Sequence, residues 1–288
     1  MLLYINRAKK SLFFLQYTDR KPPKGDSLMI YYFSGTGNSY AVAKALADSL
    51  QEPLQDLARA AKEHAYTCTL AEGERLGFIF PIYAWAPPKM VLDFVKQLQL
   101  HTKYEPYIFA VCTCGASAGK SMDLLEEALE ENGLTLNSAF SVVMPDNCIT
   151  LFESESEASV SKKLADAEKT IHRIQKAIRL GKTEFFRVKQ GRFSNTLSYL
   201  VNPLFQKGGM KTKAFYTTDA CIGCGLCESV CTSGCIKLTV GKPIWTEDTC
   251  NMCLACLHRC PVTAIQYGKK TIKRERYLHP LYQAKGDK

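Results

Sequence analysis

The chain has 288 residues, 46% of them apolar, and a formal net charge of +9. That is enough for one large core or two unequal ones, and no apolar run approaches the ~20 residues of a membrane-spanning helix, so no membrane span is expected. Residues 1–27 form an N-terminal extension without the pattern of a secretory signal, because Leu12-Phe-Phe-Leu15 is too short an apolar core and no small-residue cleavage site follows. A cytoplasmic protein is expected, and in a reducing compartment clustered cysteines favour metal over disulfides.

Along the chain, strand and helix alternate. Residues 29–33 read as a buried strand and residues 40–50 as a helix. A short strand fits 53–57. Residues 76–83 form an apolar strand, followed by a helix over 88–98 with proline in its first turn. A strand over 107–112, a helix over 121–132 closed by Gly133, a strand over 139–144 and a long amphipathic helix over 157–180 complete the series. Strands separated by helices imply a parallel sheet covered on both faces, an α/β domain over residues 28–181. Residues 182–214 carry Lys, Arg, Gly and Asn-Pro and read as a linker with one short helix over 195–205.

Between the first strand and the first helix stand Ser34, Gly35, Thr36, Gly37, Asn38 and Ser39. An ATP-type loop needs Gly-Lys-Ser/Thr, and the dinucleotide fingerprint needs glycine where Tyr40 stands, so neither fits. Ser34, Thr36 and Ser39 offer hydroxyls, the glycines let backbone N–H groups close on an anion, and the helix N-terminus adds its dipole. The loop resembles the flavodoxin phosphate loop, T/S-x-T-G-x-T/S. That resemblance covers about residues 28–181. It implies FMN, bound outside the carboxyl ends of a doubly wound parallel sheet of order 2-1-3-4-5.

Two further segments stand where flavodoxins hold the flavin ring. Tyr83, Ala84 and Trp85 follow the 76–83 strand; a ring contact and ordinary core packing are both open for the two aromatics. Thr113, Cys114 and Gly115 follow the next strand, where small residues permit close backbone approach to the pyrimidine end of the ring. Lys120 either favours the anionic reduced flavin or begins a solvated helix. Cys68, Cys112, Cys114 and Cys148 are isolated and read as core or loop thiols, with a catalytic thiol at Cys114 as the alternative.

Nine of the thirteen cysteines lie between Cys221 and Cys260. They form a repeat in which Cys221-Ile-Gly-Cys-Gly-Leu-Cys-Glu-Ser-Val-Cys231 aligns with Cys250-Asn-Met-Cys-Leu-Ala-Cys-Leu-His-Arg-Cys260 at an offset of 29. Each half reads C-x2-C-x2-C-x3-C. Structural zinc sites use two C-x2-C pairs with a longer spacer, so iron–sulfur is the better match. Residues 215–268 resemble the two-cluster bacterial ferredoxins, most closely at Cys260-Pro-Val-Thr-Ala-Ile-Gln-Tyr. The resemblance implies a smaller α+β domain with two [4Fe–4S] clusters and crossed ligation. Cys221, Cys224, Cys227 and Cys260 would hold one cluster, and Cys250, Cys253, Cys256 and Cys231 the other. The first half departs from the pattern: Thr232 replaces the proline found at Pro261, and Cys235 stands opposite Ala264. Cys235 aligns with a small packing residue, with a ligand swap with Cys231 as the alternative. Thr232 has an N–H that proline lacks, and such donors tune cluster potential when they reach sulfur.

Two oxidised clusters carry about −2 each and a phosphorylated cofactor about −2 more, which leaves a mildly basic holoprotein and no expectation of nucleic-acid binding. Residues 269–288 form a basic tail, in which 269–276 either docks an acidic redox partner or is solvated. Trp245 is expected to pack beside the cluster domain. Together the halves resemble the flavodoxin–ferredoxin fusion proteins of anaerobic microbes. This implies an electron-transfer flavoprotein passing electrons between FMN and the clusters, to or from a redox partner protein. A flavin-dependent reductase of a small substrate, fed through the clusters, is the competing reading, and a redox sensor a third.

Overall fold

The computed structural model describes residues 30–283, so the N-terminal extension and the last five residues lie outside the described residues. The first part of the chain contains β1 (Ile30–Tyr32), β2 (Leu54–Asp56), β3 (Thr67–Thr69), β4 (Arg75–Pro81), β5 (Gln99–His101), β6 (Tyr107–Cys114), β7 (Ser138–Val143) and β8 (Phe185–Arg187). Its helices are α1 (Asn38–Leu50), α2 (Leu57–Lys62), α3 (Lys89–Gln97), α4 (Ser121–Glu131) and α5 (Glu157–Arg179). One six-stranded sheet runs β2-β1-β4-β6-β7-β8, and every neighbouring pair in it is parallel. Its first five strands are the 2-1-3-4-5 order. β8 adds a sixth strand from within the stretch expected to be linker, and β3 pairs with β5 in a small separate ribbon.

The sheet is buried on both faces, as parallel sheets are. Leu76, Phe78 and Phe80 of β4 pack with α3 and α4, while Ile79 points to the face covered by α1 and α5. The period-2 alternation thus splits each strand between two cores. The helix ends follow local chemistry. Asp56 caps α2 by accepting from the N–H groups of Ala58 (2.9 Å) and Arg59 (3.2 Å). Gly133 follows α4 at φ +72° and Gly181 follows α5 at φ +58°, a conformation that glycine adopts without strain.

Residues 194–209 form one helical run in which α and π turns alternate, longer than the short helix expected at 195–205. The cysteine repeat then folds as two like halves. Helices at Leu226–Ser229 and Ala255–Arg259 stand at equivalent positions, as do β10 (Ile236–Thr239) and β12 (Ile265–Tyr267), while β9 (Phe215–Thr217) pairs with β12 and β11 (Lys242–Trp245) with β10. Trp245 stacks on Phe215 with ring centroids 5.3 Å apart, inside this smaller core.

Gly77 in β4 lies opposite Phe109 of β6, and a Cβ there would sit 2.4 Å from the Phe109 ring. That ring is fully buried and cannot swing aside. Gly77→Ala is expected to destabilise the sheet by about 1–3 kcal/mol through overpacking, read as a lower urea midpoint in chemical denaturation.

Candidate functional site

Four loops meet at the carboxyl ends of the parallel strands. After β1 comes the glycine loop, whose Ser34, Thr36, Asn38 and Ser39 are all buried. The Gly37 N–H donates to Ser34 Oγ (3.1 Å), and Ser39 Oγ pairs with Thr113 Oγ1 (2.8 Å). Gly37 takes φ +98°, and α1 starts there with no side-chain cap and no acid in its first turn. A capless helix end supplies N–H donors and a positive dipole end to an anion.

After β4, Tyr83 and Ala86 close a tight turn with two backbone hydrogen bonds, of 3.0 and 3.2 Å. Its central residues, Ala84 (φ +47°) and Trp85 (φ +62°), are both left-handed. Each such residue costs about 1–3 kcal/mol and persists only where its surroundings hold it. Trp85 Nε1 donates to Ser117 Oγ (3.3 Å), which joins this turn to the loop after β6. β6 runs two residues past the strand expected at 107–112, so Thr113 and Cys114 end the strand rather than follow it, and both are buried; burial pushes the Cys114 thiol up to about 11, which disfavours the catalytic alternative. Gly115 passes so close to Asp146 that a Cβ would lie 2.6 Å from its carboxylate. Lys120 pairs with Asp123 (2.9 Å) at the start of α4, so its ammonium is engaged on its own helix.

The fourth loop, after β7, had no place in the sequence reading. Asn38 Nδ2 donates to Pro145 O (2.9 Å), and Asn147 Nδ2 donates to Thr36 Oγ1. Its signal was topological: β7 is the next strand of the sheet, so its carboxyl end must open onto the same crevice.

The cysteine domain sits directly on these loops. Gly35 approaches the Cys253 carbonyl so closely that a Cβ would lie 2.1 Å from the oxygen. Lys62 of α2 donates to Cys231 O, and Asn251 Nδ2 donates to Thr232 Oγ1 (3.2 Å) beside Met90. His258 Nδ1 accepts the Tyr277 N–H (3.0 Å) while Nε2 faces Asn147 O (2.9 Å). The imidazole is thereby a neutral Nε2–H donor, and burial lowers its pKa to about 4. Burial also pushes the Tyr83 phenol well above its ordinary range, with Cys253, Cys148 and Cys250 as further neighbours.

Cys221, Cys224, Cys227 and Cys260 line one cavity, walled by Leu226, Pro243 and Ile265. Cys256 is buried beside Cys253, Cys231, Cys227 and Cys235. Thr232 Oγ1 donates to Cys253 Sγ (3.2 Å). Cys235 is buried with its Sγ 3.6 Å from Cys231 Sγ. Among the described residues no three His, Cys, Asp or Glu side chains converge on a single-ion site. A [4Fe–4S] cage is bound at its corners, so thiols set around an apolar cavity, with N–H and O–H donors to sulfur, are the fitting arrangement.

The tail is neither wholly solvated nor wholly free for docking. Lys269, Lys270 and Lys273 are exposed, but Arg274 pairs with Glu153 (2.7 Å) and donates to Ile149 O (2.7 Å), while Arg276 donates to Gln266 Oε1 (2.9 Å). The chain then crosses the glycine loop. Tyr277 OH donates to Asn38 Oδ1 (2.7 Å) and the His279 N–H to Thr36 O (2.9 Å). Tyr282 covers Gly37, where a Cβ would lie 2.4 Å from its own Cβ, and rests between Tyr40 and Arg259.

A flavodoxin-domain family model matches residues 29–148, and a 4Fe-4S binding domain model matches residues 214–237. The chain joins a flavodoxin domain to a 4Fe-4S binding domain. The ferredoxin-type protein FwdE of Methanocaldococcus jannaschii is 34% identical over 58 residues, which is 20% of this chain and 38% of that protein. The chain thus spans well under half the length of that relative. Among solved structures, a putative flavoprotein from Bacteroides uniformis aligns at 18% identity and TM-score 0.33, covering 42% of this chain and 92% of that one. A flavodoxin from Streptococcus pneumoniae TIGR4 aligns at 15% identity and TM-score 0.29, covering 51% and 99%. The two matched domain types carry electron-transfer or redox function and point to FMN and a 4Fe-4S cluster. Among the described residues no helix is long and apolar enough to cross a membrane.

Gly35→Ala is expected to force the glycine loop and the Cys253 loop apart. Flavin content and the circular dichroism of the iron–sulfur chromophore should then both fall in the purified variant, whereas a phosphate-loop defect alone would lower only flavin content.

Proposed function

We propose that this chain is an electron-transfer flavoprotein that passes electrons between FMN and two [4Fe–4S] clusters, to or from a redox partner protein. One observation carries the reading: the phosphate loop at Gly35 and the cysteine loop at Cys253 are in direct backbone contact, with no room for a side chain between them. Bound FMN supplies both one- and two-electron exchange and each cluster supplies one-electron steps.

Ser34, Thr36, Ser39 and the N–H groups at the start of α1 would hold the phosphate. Tyr83–Trp85 and Thr113–Gly115 would bracket the ring. Cys231, Cys250, Cys253 and Cys256 would hold the cluster facing the flavin site; Cys221, Cys224, Cys227 and Cys260 would hold the outer one, where Cys224 is exposed and Ile222 is 65% exposed. Tyr277 and Tyr282 shield the phosphate end from water. Thr232 donates to Cys253 Sγ, a bond that would lower the electron density on that ligand and make the inner cluster easier to reduce than an unbonded one.

Anaerobic purification with iron, sulfide and flavin analysis is expected to return about eight irons and one FMN per chain. Zinc in place of iron, or freshly purified protein without flavin, would sink the reading; about four irons would reduce it to one cluster. Cys235→Ala is expected to keep the full iron content and Cys231→Ser to lose about half of it, which separates packing from ligation at these adjacent thiols.

A further inference from the structure

The strained turn after β4 is held from outside its own domain. Three of its four carbonyls are reached by two side chains of the connecting helical run. Asn202 Nδ2 donates to Tyr83 O (3.0 Å) and to Ala84 O (3.2 Å), and Ser198 Oγ donates to Trp85 O (2.7 Å). Ser198 Oγ also accepts the Lys120 N–H (2.8 Å), at the end of the loop that follows β6. One hydroxyl therefore joins both loops that bracket the ring site. The preceding residues add to this grip, since the Ala118 and Gly119 N–H groups donate to Lys189 O (2.8 Å) and Gln190 O (3.0 Å).

The helix is built for this task at the expense of ordinary patterning. A surface helix turns apolar residues inward and polar residues out. Here Ser198 and Asn202, one turn apart, are 2% and 5% exposed, while Phe193, Leu200 and Leu204 are 76%, 60% and 63% exposed. Gln206 Nε2 donates to Asn202 Oδ1 (2.7 Å), which leaves the Asn202 amide hydrogens aimed at the turn. The run then ends at Met210, whose carbonyl accepts the Cys250 N–H (2.9 Å), and Phe205 and Met210 pack against the cysteine domain core. The same helix is thus fastened at one end to the ring loops and at the other to a cysteine loop.

We propose that Ser198 and Asn202 are positioning residues of the flavin site, which hold the Tyr83–Ala86 turn in its strained form and tie it through one rigid helix to the Cys250 loop. The inference rests on the FMN reading above. A turn released from this grip relaxes, and it then meets oxidised and reduced flavin with a different ratio of affinities, which is a change of potential.

The test uses Ser198→Ala and Asn202→Asp in the full chain, purified anaerobically with its cofactors. The aspartate keeps the shape of the side chain and removes both N–H donors. FMN dissociation constant, flavin midpoint potential, iron content and Tm are measured in each. Both variants are expected to bind FMN about tenfold more weakly and to show a displaced flavin potential, with iron content unchanged. Wild-type affinity and potential in both variants, even with a lower Tm, would make the helix a merely structural element and overturn the proposal. Ser198→Ala deletes a single oxygen and decides the matter alone if Asn202→Asp does not accumulate. A wild-type protein without flavin overturns the FMN reading and this inference together; flavin-loaded wild type with indifferent variants overturns this inference only.

Discussion

The contact between Gly35 and the Cys253 carbonyl is the constraint around which the molecule is arranged. A backbone carbonyl can press on a glycine Cα only where no Cβ intervenes, and here one would lie 2.1 Å from the oxygen. Gly35 does not have a positive φ, so the glycine is required by space and not by backbone conformation. The requirement comes from another domain more than two hundred residues away in sequence. Once the contact is made, the carboxyl end of the sheet is closed on that side, and the loops after β1, β4 and β7 meet the second half of the cysteine repeat through Gly35, Tyr83 and Asn147.

Two segments outside both domains secure that closure. The connector enters the sheet as β8, grips the loops after β4 and β6 and ends on the Cys250 N–H. The C-terminal segment starts from the end of the cysteine domain and returns across the glycine loop through Tyr277, His279 and Tyr282. Each spans from one domain to the other, so the interface is crossed by hydrogen bonds on two sides. An interface built this way holds its partners at a fixed separation, which suits electron transfer better than the mobile docking expected of two domains on a simple linker.

Much of this was legible in the sequence because it rests on short-range pattern. The alternation of apolar runs with helical spacing gave every long strand and helix of the sheet, since period 2 and period 3.6 are local properties. The glycine loop and the doubled cysteine motif were legible because each is contiguous. What escaped was everything decided by tertiary contact. β3 and β5 are three residues each and pair only because the chain brings them together. β8 was hidden in a stretch of weak periodicity, where Phe185 packs on the core while Phe186 and Arg187 remain exposed. Ser198 and Asn202 fall in the short helix expected over 195–205, and only the turn carbonyls they meet give them meaning. For the tail, charge alone left docking and solvation open, and it could not show that Arg274 and Arg276 are turned inward onto Glu153 and Gln266.

The departures of the repeat from its own symmetry fall where the two domains touch. Thr232 stands where the other half has Pro261. Proline at this position can donate nothing, whereas Thr232 donates its hydroxyl to Cys253 Sγ and accepts from Asn251, which itself reaches Met90 of α3. Cys235, opposite Ala264, fills the space behind Cys231, whose carbonyl takes the Lys62 ammonium from α2. Pro261, in contrast, borders the cavity of the first cysteine set and is exposed. A symmetric repeat would give both proposed clusters similar surroundings and similar potentials. The sulfurs proposed for the inner cluster are buried or half-buried, whereas Cys224 of the other set is exposed, and Thr232 gives Cys253 Sγ a hydroxyl donor. Hydrogen bonds to sulfur and loss of solvent act on a cluster's potential in opposite directions, so the two proposed clusters would be made unlike by two separate levers, of which the Thr232 hydroxyl is traceable to a position where the repeat breaks.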